Sequence, residues 1–191
     1  MPASKGHNPF RIAASASARR FRTSAAKFAR DRKASTIVEF ALVAAPFFAL
    51  LFAVLQTALI FFAGQVFETG VAEAARLIRT GQAQSQGFDQ SAFKQAVCDR
   101  IFGLISCTGA LNVDVRTYPA FDQVDVSKPL DSQGNLINNF QYNPGAGGDI
   151  VVVRAFFEWP IFVPLLGVQS GDMANGNRLL AAAFAFRNEP F

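Results

Sequence analysis

Histidine is nearly missing from this chain, and its scarcity narrows the available chemistry. The single His7 lies in the N-terminal arm, so the segment beyond residue 67 has no histidine for a triad, a metal cluster or a general base. No phosphate-binding loop or dinucleotide fingerprint occurs. Charge is also scarce, at 17% of residues against a usual quarter or so. Asp122, Asp125 and Asp131 superficially suggest calcium, but their spacing misses the EF-hand pattern and they flank turn residues. Serine, threonine and carboxylate side chains are present, yet no constellation of them gathers, so an anchored hydrolase is a distant rival reading. No cofactor, metal or nucleic-acid partner is expected.

The charge that is present is unevenly placed. Residues 1–34 hold nine Lys or Arg and one acid, a net +8, whereas the remainder carries −4. The basic arm abuts twenty-eight residues without a charge, Phe40 to Phe67. As a helix this run would extend roughly 42 Å at ~1.5 Å per residue, more than the roughly 30 Å of bilayer hydrocarbon. The positive-inside rule puts the arm in the cytoplasm and residues 68–191 outside. A cleaved secretory signal is the alternative, but its apolar region spans only about 7 to 15 residues.

Glu39 stands at the mouth of this apolar run, where a carboxylate is costly without a partner or a task. Within the run, Ala41, Ala45, Ala49, Ala53 and Thr57 recur every fourth residue. They form a ridge of small side chains on which another helix can pack closely. Pro46 removes one backbone hydrogen bond and is expected to kink or loosen the helix locally. The helical pattern continues past the membrane: Phe67, Val71, Ala74, Ala75 and Ile78 share one face, and Gly81 is a terminator. One helix over about 36–80 is therefore predicted.

A second helix is predicted over about 89–104, capped by Asp89 and buried through Phe93, Ala96, Val97, Ile101 and Leu104. Leu111, Val113 and Val115 alternate with Asn112, Asp114 and Arg116, a half-buried strand. Residues 127–148 are rich in Gly, Pro and Asn and read as a loop. Ile150–Trp159 reads as a strand, since Arg154, Glu158 and the following prolines argue against a second membrane span. Asn177–Phe186 is assigned as a final strand despite its alanines. The fold class expected is α+β. A long N-terminal helix spans the membrane, continues into an amphipathic half and carries a small antiparallel sheet outside. The expected parts are a basic leader (1–34), a transmembrane helix (35–67) and an extracytoplasmic domain (68–191). Cys98 and Cys107 both fall on the outer side, where an even count favours a disulfide; two buried free thiols are the alternative.

The string Ser35-Thr36-Ile37-Val38-Glu39-Phe40-Ala41-Leu42-Val43-Ala44-Ala45-Pro46 resembles the TadE-like family, pseudopilins of tight-adherence (Flp-type) pilus systems. Ala74 to Gly81 and the ending Phe186 to Phe191 add to the resemblance. The resemblance implies a pilin-like fold in the bacterial inner membrane and a role as a minor pilin or assembly component. Its implied partners are other pilins or pilus-platform membrane proteins. It also implies cleavage by a prepilin peptidase between Ala34 and Ser35, leaving Glu39 fifth and Phe40 sixth in the mature chain. Ala34 stands where the family usually has glycine. Cleavage would remove the +8 arm and create an α-amino group at Ser35, with which Glu39 of a neighbouring subunit could pair. The other reading is an envelope interaction domain on a simple anchor.

Overall fold

The computed structural model describes residues 32–101, 110–161 and 171–191, with side chains of the first helix from Thr36 onward. The basic arm, Leu104 and Cys107 lie outside the described residues. The chain divides into two compact units, residues 1–51 and 52–191. In the first, the described residues belong to helix α1, Arg32–Arg79, which continues into the second unit and runs through Pro46.

The second unit is built on the amphipathic end of α1. A short turn of helix, α2 (Gln82–Ser85), follows, then α3 (Gln90–Cys98) and strands β1 (Leu111–Tyr118), β2 (Ile150–Trp159) and β3 (Arg178–Arg187). The strands form one antiparallel sheet in the order β1-β2-β3. The register pairs Val113 with Ala155 and Ala155 with Ala182, and Val115 with Val153 and Val153 with Phe184. Side chains alternate across a strand, so these residues share one face. That face meets Phe67, Val71, Ala74 and Ile78 of α1 and Phe93 and Val97 of α3 in the main core. Full burial of each large apolar side chain here contributes about 1.5–3 kcal/mol.

Helix α3 is shorter than the predicted 89–104. Asp89 caps it as expected, accepting the Ala92 N–H at 2.7 Å. After Cys98 the backbone tightens to three-residue spacing, with Arg100 N–H on the Val97 carbonyl and Ile101 N–H on Cys98. This turn lies directly on α1, where a Cβ on Gly70 would collide with the Ile101 side chain and touch the Arg100 backbone. Ile101 stays buried, as expected from its place on the apolar face.

The polar face of β1 departs from expectation in a more instructive way. Asp114 alternates with buried valines, yet it is itself fully buried. The loop from Pro119 to Asp149 folds over the sheet's second face, where Leu130, Leu136 and Phe140 cover Phe156, Met173 and Leu179. A period-two pattern shows that two faces differ, and it leaves open whether the polar face is wet.

Candidate assembly surfaces

The first surface is the N-terminal part of α1. From Thr36 to Phe62 almost every side chain is exposed, including Glu39, Phe40, Ala41, Ala45 and Ala53, while Ala49 is partly covered. An 18-residue window reaches a mean hydropathy of 2.4 with none of its residues buried. Thr57 Oγ1 donates back to the Ala53 carbonyl at 2.9 Å, so the hydroxyl on the small-residue ridge is satisfied within its own helix. The ridge is therefore exposed at Ala41, Ala45, Ala53 and Thr57 and half-covered at Ala49. Ala34 and Ser35 lie in the first turn of α1, so the expected cleavage bond falls at the start of the helix.

The second is a junction that unites two of the sequence strings noted above. Gly81 takes φ 76°, a left-handed conformation suited to glycine, and ends the run begun at Arg32. The Phe191 ring occupies the space where a Cβ on Gly81 would stand. Beside it, Glu189 N–H donates to the Arg79 carbonyl at 2.8 Å, and its carboxylate lies 3.5 Å from the Arg79 guanidinium. Asn188 is buried and its amide donates to the Pro144 and Ala146 carbonyls. Gln84 also donates to Pro144. The C-terminal tail thus ties the end of α1 to the 144–149 turn. Spacing alone could not reveal this meeting, because the strings lie more than a hundred positions apart.

The third feature was not legible as a site. Asp114 Oδ2 accepts from Arg154 Nη2 at 2.6 Å and Nε at 3.0 Å, and Oδ1 accepts from the Gln141 N–H at 2.8 Å. Arg116 Nε adds a bond at 3.0 Å and reaches the Asn139 carbonyl through Nη2, while Arg154 Nη1 donates to the Ser127 carbonyl. Asp114 and Arg154 face each other across the β1–β2 register. The network pins the covering loop, so its role is architectural. A signal did exist: Arg154 interrupts an otherwise apolar run, and a buried guanidinium requires a carboxylate.

Asp125 and Asp131 behave as turn formers. Asp131 accepts the Gln133 and Asn135 N–H groups at 2.9 and 2.8 Å, and Asp125 accepts that of Ser127. The Asn135 side chain holds the Asp131 carboxyl below its usual range, and the Ser127 side chain does the same for Asp125. No group of three or more potential metal ligands occurs among the described residues. Tyr142 packs its ring 5.7 Å from Phe93, and burial pushes its phenol up to about 12. Cys98 is half-buried at the end of α3 and is not a free thiol. Its expected partner, Cys107, lies outside the described residues.

A family model for TadE-like protein matches residues 34–76. That segment is TadE-like. The resemblance carried by Ser35 to Pro46 is thereby borne out, and the TadE-like segment lies wholly within α1. It includes Glu39, the alanine ridge and Gly70, and it stops short of the Gly81–Phe191 junction. No curated protein and no solved structure matches the chain.

Proposed function

We propose that this protein is a minor pilin or membrane-anchored assembly component of a tight-adherence pilus, acting by helix packing rather than catalysis. One observation carries the reading: the TadE-like segment contains a helical run that is apolar, long enough to cross a bilayer and exposed from Thr36 to Phe62 at nearly every side chain. In this reading α1 anchors the chain in the inner membrane, with the basic leader cytoplasmic and the sheet domain periplasmic. Other pilins or platform proteins pack against Ala41, Ala45, Ala49 and Ala53, whose small side chains permit close approach.

A prepilin peptidase cleaves between Ala34 and Ser35, and the new amine of one subunit pairs with Glu39 of the next in low dielectric. Cys98 and Cys107 join in a disulfide that ties α3 to the approach of β1. Such a loop gains roughly 2–3 kcal/mol in the chain-entropy model.

Mass spectrometry of the native N-terminus tests the processing step. Ser35 as the first residue is expected, whereas an intact Met1 in assembled material overturns cleavage. Glu39→Ala should leave membrane insertion intact and reduce co-purification with pilus components; undiminished assembly removes the pairing model. If no pilus component co-purifies with the unaltered chain, an envelope interaction domain on a simple anchor is the better reading.

A further inference from the structure

The two edges of the sheet are finished differently. On β1, outward groups at the strand's centre are taken: Gln90 donates to the Val113 carbonyl at 2.9 Å. Val115 exchanges bonds of 2.8 Å with the backbone at Gln141 and Asn143. On β3, only the start is finished in this way. Leu179 N–H donates to Asp172 at 2.7 Å, and its carbonyl accepts from Lys128 at 3.4 Å, so the Leu179 backbone groups point away from β2. Antiparallel pairing alternates, and the groups of Ala181, Ala183 and Ala185 therefore point outward as well. Among the described residues nothing bonds them, and all three residues are exposed.

Beside this edge runs a groove of about 220 Å³, lined by Ala72, Ala75, Arg76 and Arg79 of α1 and by Phe184 and Phe186 of β3. Arg187 stands exposed at the strand's end. The Arg76, Arg79 and Arg187 guanidiniums thus border the edge and groove, while Glu189 lies 3.5 Å from Arg79 and Asp172 is engaged with the Leu179 N–H at the strand's start. An edge whose middle, Ala181 to Phe186, carries no charge, proline or bulge is normally protected in a finished protein.

We propose that the β3 edge is a strand-addition site for an extended segment of a different protein, with small or apolar residues at alternate positions and carboxylates at its ends. The backbone of the incoming strand would satisfy Ala181, Ala183 and Ala185. Its alternate side chains would enter the groove, and its carboxylates would meet Arg76 and Arg187. A second copy fits less well. Antiparallel pairing of two β3 edges turns the Ala63–Ile78 helices end for end, which two chains anchored alike in one membrane do not permit. Parallel pairing brings the two Arg187 side chains together. The argument against a second copy rests on the membrane reading above; the open edge does not.

The test uses the full chain in detergent micelles with the peptide Asp-Val-Ala-Val-Thr-Val-Glu, and its readouts do not depend on leader cleavage or pilus assembly. Hydrogen exchange at Ala181, Ala183 and Ala185 should be fast in the free protein and slow at least about tenfold with peptide. A Lys-ended peptide should bind at least about tenfold more weakly, and the double variant Arg76→Glu, Arg187→Glu should reverse that preference. Ala183→Pro, tolerable on an edge strand, should abolish binding while the other strands keep their exchange protection. Three results overturn the proposal: slow exchange at these amides without peptide, no protection by either peptide, or protection that grows with protein concentration alone. Equal binding of both peptides would also overturn it, since the charges would then select nothing.

Discussion

Between Thr36 and Phe62, helix α1 turns its apolar side chains outward; between Ala63 and Ile78 it buries the same kinds of side chain under a sheet. Phe61 is 70% exposed and Phe67 only 1%. Nothing in residue type separates these two phenylalanines. What differs is the pattern around them: charges flank Phe67 on its far side at Glu68, Glu73 and Arg76, while the stretch before it has none. An amphipathic face directs a helix to a protein core. An apolar surface on every side needs a solvent that is itself apolar, or other helices.

The contrast can be broken most directly by truncating each phenylalanine. Phe67→Ala should destabilise the folded unit by about 3–5 kcal/mol through cavity formation. Phe61→Ala should change it by less than about 0.5 kcal/mol. Denaturant unfolding in micelles, followed by the buried Trp159, reads both. A large loss from Phe61→Ala would mean that this part of α1 also packs against its own domain.

The two faces of the sheet offer a second comparison, between apolar and ionic cover. Asp114→Ala removes the carboxylate bonded to the buried Arg154, leaving only the exposed Asp125 at 3.9 Å, and should cost about 3–5 kcal/mol, since stranding one member of a buried pair is expensive. Replacing Asp114 and Arg154 together by apolar residues should cost much less. Near-equal losses would show that the cost lies in packing and not in charge.

Gly81→Ala tests the tail junction against the sheet core. The substitution imposes a side chain at positive φ and displaces the Phe191 ring, for an expected loss of about 1–3 kcal/mol. Phe191→Ala should remove part of that clash, so the double variant should be more stable than additivity predicts.

Acid titration gives the smallest effect and separates loop from core. Asp172 keeps a carboxyl below the ordinary 3.8: its burial acts upward, but bonds from the Leu179 backbone and Lys128 outweigh that. Asp131 and Asp125 are lowered by their own turn contacts. For a lowered carboxyl, stability is present above the unfolded pKa and is lost as pH falls through the folded one. The loop should therefore loosen below about pH 4, before the helix–sheet core, as read by hydrogen exchange. Asp172→Asn should blunt that dependence.

Much of this architecture was open to reading from the chain. Strand β2 begins and ends where Ile150–Trp159 predicts, and the stripe from Phe67 to Ile78 is the buried face of α1. These features are governed by local periodicity. The shortened α3 was less accessible, because its end is set by contact of the Arg100–Ile101 turn with Gly70. The burial of Asp114 was hidden for a related reason: its cover comes from a loop whose apolar residues, Leu130, Leu136 and Phe140, are scattered without a period. In the candidate site, Glu39 and the alanine ridge were legible because a charge and a repeat stand out in an apolar run. The open edge of β3 was not, since it exists only once the strand order is known.

The packing of Phe191 on Gly81 also bears on how the chain reaches its native state. Synthesis delivers α1 more than a hundred residues before Phe191, so the helix's apolar stripe must wait for β3 and the residues beyond it before its cover is complete. Contacts of such long sequence separation form slowly. Until they form, a sticky helix stands exposed to proteases and to neighbours. Residues 188–191 act as the fastener of a garment that cannot be closed halfway, and removing them should yield a chain that is made and then degraded.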